Sequence, residues 1–179
     1  MKEEILLNEQ QIKEKVKELG AQITKDYKDK NLCVISLLRG SFMFMSDLVR
    51  QIDMPICIDF MTTSSYEDGE ESTGKVKILT DVRENLENYD VLIVDDIIDS
   101  GNTIVNTVEY IKQKNPKSIK TCVLLDKPSR RQVEYNADYV GFEIDDVFIV
   151  GYGLNYKSSY RNIPCLLYTS DAADDCCRV

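Results

Sequence analysis

Residues 91–112 read VLIVDDIIDSGNTIVNTVEYIK. Four apolar residues run straight into two carboxylates, Asp95 and Asp96. Two isoleucines follow, then Asp99-Ser100-Gly101-Asn102-Thr103, then a helical pattern over 103–114. An apolar run without alternation is the pattern of a parallel strand covered on both faces. Ligands of open α/β sheets bind at the carboxyl ends of such strands, where Asp95 and Asp96 stand. Gly101 permits a tight backbone. Ser100 and Thr103 offer hydroxyls, and the free amides and dipole of a helix N-terminus favour a phosphate. Carboxylates beside it would repel a phosphate, so they face sugar hydroxyls or a metal. Strand neighbours point to opposite faces. Asp95 and Asp96 therefore reach one ligand only if the chain bends as the strand ends. The plainer alternative makes Asp99 or Ser100 a helix cap with solvated acids before it. The string is not a Walker loop, since no lysine follows the glycine, and it is not GxGxxG.

Outward from this stretch, strands and helices alternate. Residues 8–28 carry Ile12, Val16, Leu19, Ile23 and Tyr27 at helical spacing, with Asn8 as cap and Gln11 three residues on. LCVISLL (32–38) reads as a buried strand, broken by Arg39-Gly40-Ser41, and 42–52 as a helix. Residues 56–66 form a partly alternating strand. EDGEESTG (67–74) lacks an apolar anchor and reads as a mobile loop. KVKILT (75–80) alternates as a half-buried strand. Strands are also expected over 118–126, 139–144 and 147–153. This order predicts an α/β fold with a parallel core. One domain is expected over 1–164, with 165–179 as an atypical tail.

The totals exclude several function classes. The apolar fraction of 43% and charged fraction of 30% are those of an ordinary globular protein. The formal charge of -9 argues against general nucleic-acid binding, which wants a basic face. It does not argue against an anionic small substrate held by backbone amides. There is no histidine, so Ser-His-Asp, Cys-His and histidine-zinc chemistry are absent. Cys33, Cys57 and Cys122 sit inside apolar runs as small core residues. No apolar run has the length of a membrane span, and MKEEILLNEQ is acidic where a signal peptide is basic. A cytoplasmic protein without membrane association is expected.

VLIVDDIIDSGNT resembles the signature of the type I phosphoribosyltransferases, which bind phosphoribosyl pyrophosphate. LLRGSFMFMSDL (37–48), TSSYEDGEESTGKVKIL (63–79), LLDKPSRR (124–131) and VGYGLNYKSSYR (150–161) extend the resemblance to the hypoxanthine-guanine branch. It covers residues 5 to 164. It implies a central, mainly parallel twisted sheet flanked by helices, with a small hood formed by N- and C-terminal segments. It also implies Mg²⁺-dependent transfer of the phosphoribosyl group to N9 of hypoxanthine or guanine, and a homodimer or homotetramer.

The resemblance carries over residue by residue. Asp95 and Asp96 would hold the ribose hydroxyls. The loop Asp99, Ser100, Gly101, Asn102, Thr103 would cradle the 5′-phosphate, with Asp99 as general base beside purine N7. Arg39 and Gly40 match the pyrophosphate loop, which in the family carries a non-proline cis peptide and often has lysine for Arg39. Ser65 and Tyr66 match the start of a loop that closes over the site. Lys127 matches the lysine that binds the purine 6-oxo group. Phe148 matches the aromatic that stacks on the base, and Ile149 the residue whose backbone reads its edge; taken alone, both would be core residues. Arg161 matches an arginine near the pyrophosphate. Asn155 departs from the family, which usually has an aspartate there as a ligand of the second magnesium. Two other readings remain: a xanthine-preferring enzyme, and a pyrimidine-operon RNA-binding regulator of the same fold. In the tail, residues past Leu167 show neither period, which suggests disorder. CLLYTSDAADD also resembles the conceptual translation of a transposase-type sequencing adapter, which marks 165–179 as candidate read-through.

Overall fold

The computed structural model describes residues 3–65 and 76–169. Tyr66, the expected loop 67–74 and residues 170–179 lie outside the described residues.

In chain order the elements are β1 (Glu3–Leu7), α1 (Glu9–Asp26), β2 (Leu32–Leu38), α2 (Phe42–Val49), β3 (Cys57–Ser65), β4 (Val76–Thr80), β5 (Asp90–Ile98), α3 (Asn102–Lys112), β6 (Ser118–Asp126), β7 (Tyr139–Glu143), β8 (Phe148–Val150) and β9 (Leu166–Thr169). Six strands form the main sheet in the order β4-β3-β2-β5-β6-β7. Only β4 runs antiparallel to its neighbour. The other three, β1-β9-β8, form a small antiparallel sheet from the two ends of the chain, the expected hood.

Helix α1 begins as its sequence dictates. The Asn8 side chain accepts from the Gln11 amide at 2.9 Å, and Gln11 Oε1 accepts from the Asn8 amide at 2.9 Å. Two otherwise orphaned donors are thus satisfied. Its buried stripe is Ile12, Val16, Leu19 and Ile23.

Strand β5 is covered on both faces, as its unbroken apolar run requires. Leu92 and Val94 pack with Val34 and the buried residues of α1 and α2. Val91 and Ile93 pack on the other face with Cys33, Ile35 and the α3 residues Ile104 and Ile111. Past the acids the alternation shifts: Ile97 packs with the α1/α2 cluster and Ile98 with the α3 cluster.

Three expectations are corrected. Strand β5 does not end at Asp95 but pairs with β6 as far as Ile98. The expected strand 147–153 stops at Val150, because Gly151, Tyr152 and Gly153 all have positive φ (99°, 46° and 102°) and turn the chain back. The two described residues past Leu167 are regular: β9 is the middle strand of the hood, and Tyr168 and Thr169 pair with Glu4 and Glu3 on one side and Ile149 and Phe148 on the other. A middle strand is held by backbone ladders on both edges, so it asks little of its side chains beyond the buried Leu166. Leu166–Thr169 thus continue the small sheet past residue 164. Among the described residues, no helix is long and apolar enough to cross a membrane.

Replacing Asn8 with alanine removes the cap and should cost about 1 kcal/mol. For a chain of this size that lowers Tm by about 2–4 °C. A thermal melt of Asn8→Ala with Asn8→Asp as control checks it; an unchanged Tm would remove the cap from the account.

Candidate active site

The site begins where two strands part. β2 and β5 pair in register from Leu32↔Asp90 to Ser36↔Val94 and no further. β2 then turns away through Arg39 and Gly40, while β5 continues along β6 to Ile98. The sheet is built outward in opposite directions from β2 and β5, so their junction is its topological switch point. The parting leaves a crevice of about 270 Å³ lined by residues of 37–40 and 95–101, with Thr63, Thr103 and Ile104.

This answers how neighbouring carboxylates reach one ligand. The partner strand of β5 leaves after Val94, and Asp95 and Asp96 both line the crevice it opens. Each carboxylate folds toward the next amide: Asp96 N donates to Asp95 Oδ1 at 3.0 Å, and Ile97 N to Asp96 Oδ1 at 2.9 Å. Burial raises the pKa of Asp95 well above the usual carboxylate range, and the charge of Asp96 adds to it. Burial raises Asp96 too, opposed in part by the hydrogen bond to Asp95 and the charge of Arg161. Two carboxyls in this setting favour sharing a proton, or a ligand that brings donors or positive charge.

The loop beside Asp96 is held by close packing. The Leu38–Arg39 peptide is cis. Ser41, fully buried, hydrogen-bonds Ser36 Oγ at 2.7 Å and donates to the Leu37 carbonyl. A Cβ on Gly40 would lie 1.8 Å from Asp96 Oδ2. A Cβ on Gly153 would lie 2.0 Å from the Gly40 carbonyl oxygen. Asp96, Gly40 and Gly153 thus stack with no room for side chains between them. Arg161 locks the outer layer: its Nη1 donates to the Gly153 carbonyl at 2.5 Å, and the Gly153 amide donates to the Arg161 carbonyl at 2.9 Å. Arg39 is exposed on the crevice wall.

Across the crevice, Gly101 adopts the left-handed conformation (φ 86°) at the N-cap of α3. The amides of the first turn have no intrahelical carbonyl to meet, and such a turn is suited to an anion. Ser100 Oγ accepts from the Asn102 amide at 3.3 Å. The Asn102 side chain turns away and donates to Gln132 at 3.0 Å, so only its backbone can serve the loop.

Lys127 follows β6, is buried, and donates from Nζ to the Val147 carbonyl at 2.6 Å. Burial lowers its pKa, while the nearby Asp99 and Asp146 carboxylates act in the other direction. Phe148 is partly exposed and meets Tyr156 edge to face at 5.7 Å, and Ile149 is buried beside it.

The structure therefore joins Arg39, Gly40, Asp95, Asp96, Asp99, Ser100, Gly101 and Thr103 in one crevice. Arg161 joins through Gly153. Ser65 closes β3 opposite Val76, and Tyr66 lies outside the described residues. Asn155 is exposed and does not line the crevice. Sequence reasoning missed Ser36, Ser41, Gly153, Arg130 and Arg131. The arginine pair at 130–131, just after a lysine at a strand end, was a legible signal. Arg131 forms a partly buried ion pair with Asp126 and donates from Nη1 to the Asp99 carbonyl at 2.8 Å.

Comparison with known proteins gives the family. Residues 3–157 match the phosphoribosyl transferase domain family. Hypoxanthine phosphoribosyltransferase of Salmonella typhimurium is 50% identical over 163 residues, 90% of this chain and 92% of that protein. Hypoxanthine-guanine phosphoribosyltransferase of Staphylococcus aureus is 49% identical over 161 residues, 90% of each. A crystal structure of a hypoxanthine phosphoribosyltransferase from Staphylococcus aureus superposes with a TM-score of 0.91 at 46% identity, covering 95% of this chain and 92% of that one.

The raised pKa of Asp95 has a consequence for stability. The folded state holds that proton more tightly than the unfolded chain, whose aspartates titrate near about 3.9. Ionising Asp95 therefore weakens the fold as pH rises past that point. Asp95→Asn should melt above the parent at pH 7, and the gap should close below about pH 4. A lower Tm for Asp95→Asn at pH 7 would contradict this. The chain is an enzyme of the phosphoribosyltransferase family, in its hypoxanthine phosphoribosyltransferase branch.

Proposed function

We propose that this chain serves purine salvage: it transfers the 5-phosphoribosyl group of phosphoribosyl pyrophosphate to N9 of hypoxanthine or guanine, releasing IMP or GMP and pyrophosphate. The observation that carries the reading is the crevice itself. Two carboxylates of raised pKa face a helix N-terminus across the switch point of the sheet. A sugar phosphate has the hydroxyl donors and the anionic group that such a pair of walls would take.

Each residue then has a task. Asp95 and Asp96 accept hydrogen bonds from the ribose 2′ and 3′ hydroxyls. The backbone and hydroxyls from Ser100 to Thr103 hold the 5′-phosphate. Arg39, the Gly40 backbone and Arg161 hold the diphosphate. Lys127 donates to the 6-oxo group and has no acceptor for an amino group, which disfavours adenine. Phe148 stacks on the base, the Ile149 backbone reads its edge, and Ser65 and Tyr66 begin the segment that closes over it. During the reaction the C1′–oxygen bond to pyrophosphate breaks, its electron pair leaving with pyrophosphate, and the C1′–N9 bond forms. Asp99 stabilises the positive charge that builds on the purine and accepts the N7 proton.

Among the described residues no three acids, cysteines or histidines form a ready metal cluster. Mg²⁺ needs no such cluster, since it keeps several waters and is held by one or two carboxylates plus substrate phosphates. The Asp95–Asp96 pair supplies the carboxylate environment, and Asn155 offers a carbonyl oxygen at the outer edge. When bound, the ion would neutralise charge on the departing diphosphate. An exposed apolar stripe on the edge of the main sheet, Ile58, Phe60 and Leu79, supports assembly into a homodimer or homotetramer. The free thiols of Cys33, Cys57, Cys122 and Cys165 suit the reducing cytoplasm.

Purified chain given phosphoribosyl pyrophosphate and Mg²⁺ should form nucleotide from hypoxanthine and guanine, and not from adenine or uracil. Asp99→Asn should reduce turnover by about 10²- to 10⁴-fold. No nucleotide from folded protein, or a fully active Asp99→Asn, would refute the reading; nucleotide from xanthine alone would move the substrate. Because Asn155 lacks a charge, Asn155→Asp should lower the Mg²⁺ concentration needed for half-maximal rate. An unchanged Mg²⁺ dependence would show that residue 155 does not hold the metal.

A further inference from the structure

Arg130 stands between two carboxylates. It closes the short turn Pro128–Arg130 that follows Lys127. Its Nε lies 3.3 Å from Asp99 Oδ1, and its Nη1 lies 3.3 Å from Asp146 Oδ1. Asp146 Oδ1 is in turn 3.9 Å from the Lys127 ammonium. One guanidinium thus links the loop before α3, the turn after β6 and the segment that leads into Phe148 and Ile149. These are the three stretches that the proposed purine site draws upon.

The two oxygens of Asp99 are not equivalent. Oδ1 is buried and makes no hydrogen bond, with Arg130 close but poorly aligned. The side chain as a whole is 45% exposed. Oδ2 is left as the oxygen available to the crevice. Arg131 fixes the same residue from behind through its carbonyl. A base whose far oxygen is held by a third group is the arrangement that orients a proton acceptor.

Resting on the function proposed above, we infer that Arg130 is a positioning residue for the purine half of the reaction: it holds Asp99 by Oδ1 so that Oδ2 faces N7, and holds Asp146 so that Lys127 and the Phe148 segment keep their register with it. Arg130 does not itself line the crevice and reaches it through Asp99. Its influence should therefore fall on the base and not on phosphoribosyl pyrophosphate.

The test is steady-state kinetics of Arg130→Gln and Arg130→Lys, varying hypoxanthine and phosphoribosyl pyrophosphate in turn. Misplacing a reacting group by an ångström costs up to about 10²-fold. Arg130→Gln should lower kcat by roughly 10-fold or more and raise the KM for hypoxanthine, with the KM for phosphoribosyl pyrophosphate within about two-fold. Arg130→Lys, which keeps the charge but cannot span both carboxylates, should recover part of the loss. Because Arg130 is half-exposed, Tm should stay within a degree or two, as for surface ion pairs. Unchanged kinetics for Arg130→Gln beside an active parent would overturn this inference and leave the proposed function standing. Equal rises in both KM values with a lowered Tm would overturn it too, by making the residue merely structural. An inactive parent would overturn both.

Discussion

The site depends on the parting of β2 from β5 after Ser36 and Val94. Up to that pair the sheet is continuous and both faces of β5 are buried in apolar packing. Past it, one edge of β5 has no strand beside it. The crevice, the exposure of Asp95 and Asp96 to a ligand, and the position of the Arg39–Gly40 turn all follow from that one loss of pairing. The packing that forces the strands apart is equally specific. Gly40 is pressed between Asp96 and Gly153, and any side chain at 40 or 153 would fill the space. The buried Ser36–Ser41 hydrogen bond closes the base of the turn.

Electrostatics runs against stability there. Two carboxyls are buried side by side, both with raised pKa. Arg161 relieves Asp96 only in part, because its guanidinium is also committed to the Gly153 carbonyl. A neighbourhood that disfavours its own charge is suited to a ligand bringing hydroxyl donors and a counter-charge. The opposite wall does the reverse: past Asp99, a left-handed glycine and a helix first turn free of acids offer donors. A sugar phosphate matches this division.

Much of this was legible in the sequence because it rests on local chemistry. VLIVDDIIDSGNT carries its own strand, acids, glycine and helix start, and the structure places them as that order requires. The capping box of Asn8 and Gln11 was equally visible. What could not be read depends on segments distant in sequence. The strand's true end at Ile98 is set by β6, not by the residues around Asp95. The stack of Asp96, Gly40 and Gly153 joins three loops, and only the fold brings them together. The hood needed both chain ends, and β9 forms from residues whose pattern alone suggested no structure. The arginine pair at 130–131 was visible in the sequence, but its carboxylate partners Asp99, Asp126 and Asp146 are set by the fold.

The most direct measurement is a crystal structure of the chain with GMP. The account predicts the 5′-phosphate on the amides of 100–103, the ribose hydroxyls on Asp95 and Asp96, and the base against Phe148 with its oxo group at Lys127. A nucleotide bound elsewhere, or one turned so that its phosphate meets the carboxylates, would contradict it.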